Sequence, residues 1–434
     1  MKHLYSFLIL FFISVCGNAQ SLYYPPLSGS TWETISQNDL GWCPDSVQAL
    51  IDYADLNNSK ALIVLKDGKI ALEHYFDTFT ADSIWYWASA GKSLTAFLTG
   101  LAQEQGYLNI NDTTSSYLGP GWTSLTSEQE EKITILNQLT MTTGLDDGYG
   151  DVDCTIDTCL QYLADPGTRW AYHNAPYTLI DPVIENATGV TMNNFLFTNL
   201  SLTTGIFGVY LYLDFNHVFF STARSMARFG LLCQNNAIWN QNAILEDQDY
   251  FQNMVNPSQD LNKSYGYLWW LNGQESFMLP GLQTIFPGML MPDSPADVYS
   301  AIGRDVQCVM ISPSTGYVIV RMGEAPDGVS SLVPTILPNM LWKKVLSLDC
   351  GITSLSEESK QEAISIYPNP GYGNYRINGS VMMQSMKVFD LQGRIVLQKS
   401  QPGTDFHLTA PAGTYIVQFK SENGSVTHFK LSHN

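Results

Sequence analysis

Residues 85–101 read WYWASAGKSLTAFLTGL, and two incompatible chemistries compete for them. Gly91-Lys92-Ser93 ends like a phosphate-binding loop, whereas Ser89-Ala90-Gly91-Lys92 has the S-x-x-K spacing of a serine hydrolase. A phosphate loop needs a glycine five positions before its Gly-Lys-Ser, so that backbone amides can wrap the phosphates closely. That position is Tyr86, and the phosphate reading fails there. The G-x-S-x-G elbow of lipases fails as well, because Trp87 stands at its first glycine. The S-x-x-K reading asks for less. On a helix that starts at Ser89, Lys92 falls one turn later on the same face, within reach of the seryl hydroxyl. The helix N-terminus favours negative charge at that oxygen. A lysine withdrawn from water gives up its proton more easily and can then accept the serine proton. The motif alone decides little, since roughly one S-x-x-K is expected by chance in a chain of this length.

Outward from this stretch, Leu94, Phe97, Leu98 and Leu101 share one helical face and Gly106 stops the run. Upstream, ALIVLKDGKIALEHYF (61–76) predicts a β-hairpin about Asp67-Gly68, a dipeptide that tolerates the positive φ of tight turns. Downstream, QCVMISPSTGYVIVRMG (307–323) predicts a second hairpin turning at Pro313-Ser314-Thr315-Gly316. Strands at both ends of a helical middle predict an α+β fold: one antiparallel sheet completed by the returning chain, with helices packed on it. Beyond Cys350 the chain turns polar and then breaks into short alternating runs such as SMKVFDLQGRIVLQKS (385–400) and TYIVQFK (414–420), the pattern of a small β-sandwich.

The chain opens with a basic start, an apolar run from Leu8 to Val15 and small residues up to Ala19, which reads as a secretory signal peptide, residues 1–19. A lipoprotein reading through Cys16 is the weaker alternative, because Val15 is a poor residue before a lipidated cysteine. The apolar run is too short for a stable transmembrane helix, and no other run is comparable. A net charge of −19 without a Lys/Arg cluster excludes nucleic acid as a partner. The histidines at 3, 74, 173, 217, 407, 428 and 433 form no ligand pair of the H-E-x-x-H kind, so neither metal nor cofactor is expected. The cysteines lack C-x-x-C spacing, and export puts them where disulfides persist. Cys154 and Cys159 are near enough to close a small loop, or to remain two free buried thiols.

A second segment, PGTRWAYHNAPYTLI (166–180), changes the weight of the first. Together with SAGK, ITILNQLTMTTGLDDG (133–148), STARSMARFGLL (221–232), YGYLWW (265–270) and AIGRDVQCVMISPSTGYVIVRMG (301–323), it resembles the serine β-lactamase and penicillin-binding-protein superfamily. The likeness is to its class C branch, which also holds esterases, D-amino-acid peptidases and amide hydrolases, and it covers about residues 40–345. It implies an all-helical subdomain joined to an α/β part carrying the antiparallel sheet, with the active site between them. It makes Ser89 the acylated nucleophile, Lys92 its activating partner and Tyr172 the proton shuttle. Asn174 takes the place of the asparagine that hydrogen-bonds substrate, and the oxyanion hole falls to the amide of Ser89 and one near Gln307. His173 reads as an orienting or surface residue, since Lys and Tyr already fill the base role. In place of the family's Lys-Thr-Gly the resemblance puts Arg304-Asp305-Val306: Arg304 keeps a cationic substrate anchor, Asp305 repels a carboxylate and Val306 fills a place normally open. Loop 274–298, rich in aromatic and Met residues, is expected to wall the cleft.

The end of the chain resembles another family. ISIYPNPGYGNYRI (364–377), VFDLQGRIVLQ (388–398), APAGTYIVQFK (410–420) and the closing KLSHN are similar to the sorting domain of type IX secretion substrates in Bacteroidota. The expected organisation is therefore a signal peptide (1–19), a β-lactamase-like serine hydrolase domain (20–350), a linker (351–362) and a sorting β-sandwich (363–434). The expected protein is a secreted or cell-surface hydrolase of an ester or amide in a small molecule or peptide, with the type IX machinery as its partner. A D-amino-acid peptidase or weak β-lactamase is the nearest alternative, and a non-catalytic surface binding protein the alternative of another class.

Overall fold

The computed structural model describes residues 22–27, 31–326, 335–350, 365–378, 383–390, 393–421 and 426–433. The expected signal peptide and linker lie outside the described residues.

Helix α1 (Pro44–Leu56) starts with proline, which loses nothing at a position whose N–H has no intrahelical acceptor. The predicted first hairpin forms β1 (Ser59–Lys66) and β2 (Lys69–Tyr75). Helix α2 (Gly91–Glu104) follows the nucleophile motif, then α3 (Asn174–Thr178) and α4 (Ile180–Thr188). A second hairpin, β3 (Gly208–Leu213) and β4 (Asn216–Ser221), precedes helix α5 (Ala223–Gln234). The chain then returns through β5 (Trp270–Leu271), β6 (Tyr299–Ile302), β7 (Cys308–Ser312), β8 (Tyr317–Gly323) and helix α6 (Ile336–Leu346).

The main sheet runs β2-β1-β8-β7-β6-β5, every pairing antiparallel, with the last-formed strand β8 inserted beside β1. This is the returning-chain sheet that the two hairpins predict. β1 and β7 are almost wholly buried, as strands covered on both faces must be. Helix α5 packs on the sheet across β1, β7 and β8.

Helix α2 departs from its predicted one-sided burial. Every residue from Gly91 to Ala102 is buried. Its polar residues are accommodated by internal partners: Ser93 donates to the Leu268 carbonyl (2.7 Å), Thr99 to the Thr95 carbonyl (2.8 Å) and Thr95 to the Asp181 carboxylate (3.3 Å). A buried hydroxyl with a partner costs little, so a polar residue is no guide to exposure here. Asp181 on α4 also binds His217 of β4 (2.9 Å), which braces α2 and α4 against the hairpin.

Among the described residues two disulfides form. Cys154–Cys159 closes the short loop, as one of the two sequence readings has it, and Cys43–Cys350, which the spacing did not suggest, joins residues 307 positions apart. In the C-terminal region a three-stranded and a four-stranded sheet face a core that includes Tyr375, Val388, Val417 and Phe419, the expected small sandwich.

Candidate active site

Ser89 lies in a 3-10 turn, Ala88–Ala90, that runs straight into α2. Ala88 takes φ 47°, left-handed backbone that is unfavourable for a residue with a side chain. The neighbouring Trp87 holds that turn in place: its amide donates to the Phe219 carbonyl (2.8 Å) and its indole to Ser221 Oγ (2.7 Å). Strain of this kind persists where surrounding contacts over-determine the backbone.

Lys92 is only 3% exposed, and its Nζ donates to Ser89 Oγ at 2.9 Å. The amine stands 4.0 Å above the ring of Tyr177 and 5.2 Å above that of Tyr172. Burial lowers its pKa from 10.5 to about 7, with Arg304 pushing the same way and the carboxylates of Asp153 and Asp181 opposing. Near neutral pH a large fraction of this amine therefore carries no proton.

Tyr172 comes from the extended segment ahead of α3, where Ala171 is tied to the Met141 carbonyl (2.9 Å). Its ring stacks on Trp270 (5.7 Å between centroids) and meets Tyr265 edge-on. Burial pushes its phenol up to about 12, while a hydrogen bond with Ser89 acts the other way. It holds its proton at neutral pH.

Asn174 opens α3 and donates from Nδ2 to Asp153 Oδ1 at 2.6 Å. Its own Oδ1 is buried and has no hydrogen-bond partner among the described residues. The segment bearing Asp151 and Asp153 leads into the small ring closed by the Cys154–Cys159 bridge and is pinned to α3 by the bond from the Ala175 amide to the Val152 carbonyl (3.0 Å). His173, expected to orient or to face solvent, is buried, which removes the second alternative, and burial takes its imidazole down to about 4. It is absent from the wall of the cleft.

The segment after β6 corrects the expected third motif. A side chain on Gly303 would lie 2.7 Å from the amide nitrogens of Ser89 and Ala90, so Gly303 is the glycine that must pass beside the nucleophile. Val306, assigned to that place by residue order, is buried three positions along and does not line the cleft. Gln307 does not reach substrate. It is fully buried, with its side-chain amide bonded to Gly323 at both ends (2.6 and 3.0 Å), and its backbone N–H donates to the Arg304 carbonyl. Arg304 stands exposed at the cleft, and Asp305 accepts a 2.5 Å hydrogen bond from Tyr86.

Ser89, Lys92, Asn174 and Arg304 thus border one cleft of about 440 Å³. Tyr172 reaches it through Ser89. Loop 274–298 is not among the lining residues. The wall opposite is the tip of the β3–β4 hairpin, Leu213 to Asn216 with Val218, joined by Asp151, Asp153 and Tyr177. None of these was singled out from the sequence. A polar loop such as DVDC (151–154) reads as solvated unless its position in space is known.

Against known protein families, residues 58–205 match the beta-lactamase family, and residues 365–431 match the secretion system C-terminal sorting domain. The chain carries a β-lactamase-family domain and a type IX sorting tail. Penicillin-binding protein 4* of Bacillus subtilis (strain 168) is 28% identical over 141 residues, a match that spans 29% of this chain and 30% of that relative's length. The β-lactamase-like fold is shared with a penicillin-binding-protein homologue from Caulobacter crescentus (TM-score 0.55, 12% identity, covering 71% of this chain and 98% of that one). It is shared too with the octameric penicillin-binding-protein homologue from Pyrococcus abyssi (TM-score 0.51, 13% identity, 88% and 99%). The sorting tail marks the β-lactamase-family domain for type IX export to the cell surface or beyond. Among the described residues no helix is long and apolar enough to cross a membrane.

Proposed function

We propose that this protein is an exported serine hydrolase that cleaves an ester or amide through an acyl-enzyme on Ser89. The observation that carries the reading is the 2.9 Å contact between Ser89 Oγ and a buried Lys92 amine whose pKa is lowered to about 7. A neutral amine at that distance is a competent base for the seryl proton.

Acylation then runs as follows. The Oγ–H proton passes to Lys92 as Oγ bonds to the substrate carbonyl carbon, and the carbonyl π electrons move to oxygen. This reading assigns that oxyanion to the amide of Ser89, beside which Gly303 passes, and to the amide of Arg304, the next residue in the chain. Collapse breaks the bond to the leaving group, which takes a proton from Tyr172; the Lys92 ammonium restores the phenol. Water repeats the sequence on the acyl-enzyme, releasing the acid and returning the proton to Ser89. The net reaction adds one water and yields acid plus alcohol or amine. The raised pKa of Tyr172 supports its role as proton donor, and the lowered pKa of Lys92 its role as resting base. In this reading Asn174 offers its unpartnered Oδ1 to a substrate N–H.

The test is intact-mass measurement after incubation with a panel of p-nitrophenyl esters, D-Ala peptides and penicillins. A mass gain equal to one acyl group is expected in the wild type and not in Ser89→Ala. A folded Ser89→Ala that turns over esters at the wild-type rate would refute the assignment and favour the binding-protein alternative.

A further inference from the structure

We infer that the acyl donor selected by this cleft carries a protonated amine; the inference rests on the reading of Ser89 as the nucleophile. Four aspartates, Asp151, Asp153, Asp214 and Asp305, line the same cavity as Ser89. Among the described residues none of the four is engaged in an ion pair. Three are held in place by neutral donors, Asp151 by the Asp153 amide (3.0 Å), Asp153 by Asn174 Nδ2 (2.6 Å) and Asp305 by the Tyr86 hydroxyl (2.5 Å). A neutral donor orients a carboxylate without cancelling its charge.

The cations on the cavity wall do not balance them. Lys92 is committed to Ser89 and largely uncharged above about pH 7, which leaves Arg304 against four carboxylates. A second and independent feature points the same way: the buried Oδ1 of Asn174 is an acceptor without a donor, beside Asp153. The site thus presents acceptors and negative charge where a ligand must supply donors and positive charge. Leu213, Phe215 and Val218 contribute an apolar stretch to the same wall. The substrate that fits has a scissile carbonyl at Ser89, an apolar spacer and an ammonium group among the aspartates. A substrate with a free carboxylate at that end meets repulsion instead.

The experiment compares kcat/KM of the full chain for p-nitrophenyl esters of para-(aminomethyl)benzoate, para-ethylbenzoate and para-(carboxymethyl)benzoate, rigid acyl groups of similar size that differ in charge. The ammonium ester is expected to exceed the neutral one by about tenfold at low salt, with the anionic ester slowest. Added salt should shrink the gap, since partly exposed charges are screened. Asp153→Asn and Asp214→Asn, checked for folding by circular dichroism, should each reduce the ammonium-to-neutral ratio by roughly threefold. Glu33→Gln, a change at a surface ion pair with Lys69, should leave that ratio as it was. Equal values for the three esters, or preference for the anionic one, overturns the inference while sparing the nucleophile assignment. Absence of turnover and of any acyl adduct with all three overturns both.

Discussion

Replacing Lys92 with Met should make the protein more stable and catalytically dead at once. The amine is almost fully buried and titrates at about 7 rather than 10.5, so the fold disfavours its charged form by about 5 kcal/mol. The sign follows from proton counts. Between about pH 7 and 10.5 the unfolded chain keeps a proton that the folded chain has released, so wild-type stability rises with pH across that window. Below it both states are protonated and the full penalty applies. Met is of similar length and carries no charge to bury. Its gain at pH 6 is that penalty less the lost hydrogen bond to Ser89, which is worth about 1 kcal/mol, and less the contact with the Tyr177 ring, worth about 1–2 kcal/mol. A net gain of about 2–3 kcal/mol is expected at pH 6, shrinking towards zero at pH 10. Urea unfolding at the two pH values measures it. In the same protein kcat/KM for an activated ester should fall by roughly 10²–10⁴, the usual loss for a general base. The wild type should show an acid limb that rises about tenfold per pH unit and levels off above about 7. A Lys92→Met protein less stable than wild type at pH 6, or a wild-type profile flat from pH 5 to 8, would refute the reasoning.

Other outcomes follow from neighbouring groups. Asp153→Asn should move that acid limb to lower pH and Arg304→Gln to higher pH, because the carboxylate raises and the guanidinium lowers the Lys92 pKa; pH–rate profiles decide both. Tyr172→Phe should slow acylation by roughly 10²-fold or more, read by stopped-flow release of p-nitrophenolate, without loss of fold. Cys43→Ser should lower the thermal midpoint, since in the chain-entropy account a bridge across 307 positions is worth about 6 kcal/mol; an unchanged midpoint counts against that account. Removing residues 351–434 should leave ester hydrolysis intact in purified protein and stop the protein from appearing outside its host, as measured by activity assay and by immunoblot of the medium.

What could be read from the sequence was local. The Ser89–Lys92 contact depends on one helical turn, and the hairpins at Asp67-Gly68 and at 313–316 on their own turn chemistry. The alternating runs after residue 363 suffice for a sandwich of short strands. What could not be read was set by distance along the chain. Asp151 and Asp214 meet in one cleft from loops some sixty positions apart, and each alone resembles an ordinary surface acid. The third motif slipped by three residues because charge suggested Arg304 as the counterpart of a lysine. The deciding property was the absence of a side chain at Gly303, where the chain passes the nucleophile. For His173 the sequence left an orienting and a surface role open, and only its burial in the fold removes the second.

The Cys43–Cys350 bridge lies after α6, ahead of the residues that match the sorting domain. Around it the backbone forms a clasp: the Cys43 amide donates to the Leu348 carbonyl and the Cys350 amide to the Gly41 carbonyl, each at 2.7 Å. Residues 43–350 are thereby a covalently closed ring whose entry and exit coincide. Tension applied to the tail, whether by an export channel or by a cell surface in flowing medium, reaches Cys350 and crosses sulfur to Cys43 at the foot of α1. The force bypasses the strands between, so α6 and β8 cannot be peeled from the sheet, and the turn that presents Ser89 carries no load.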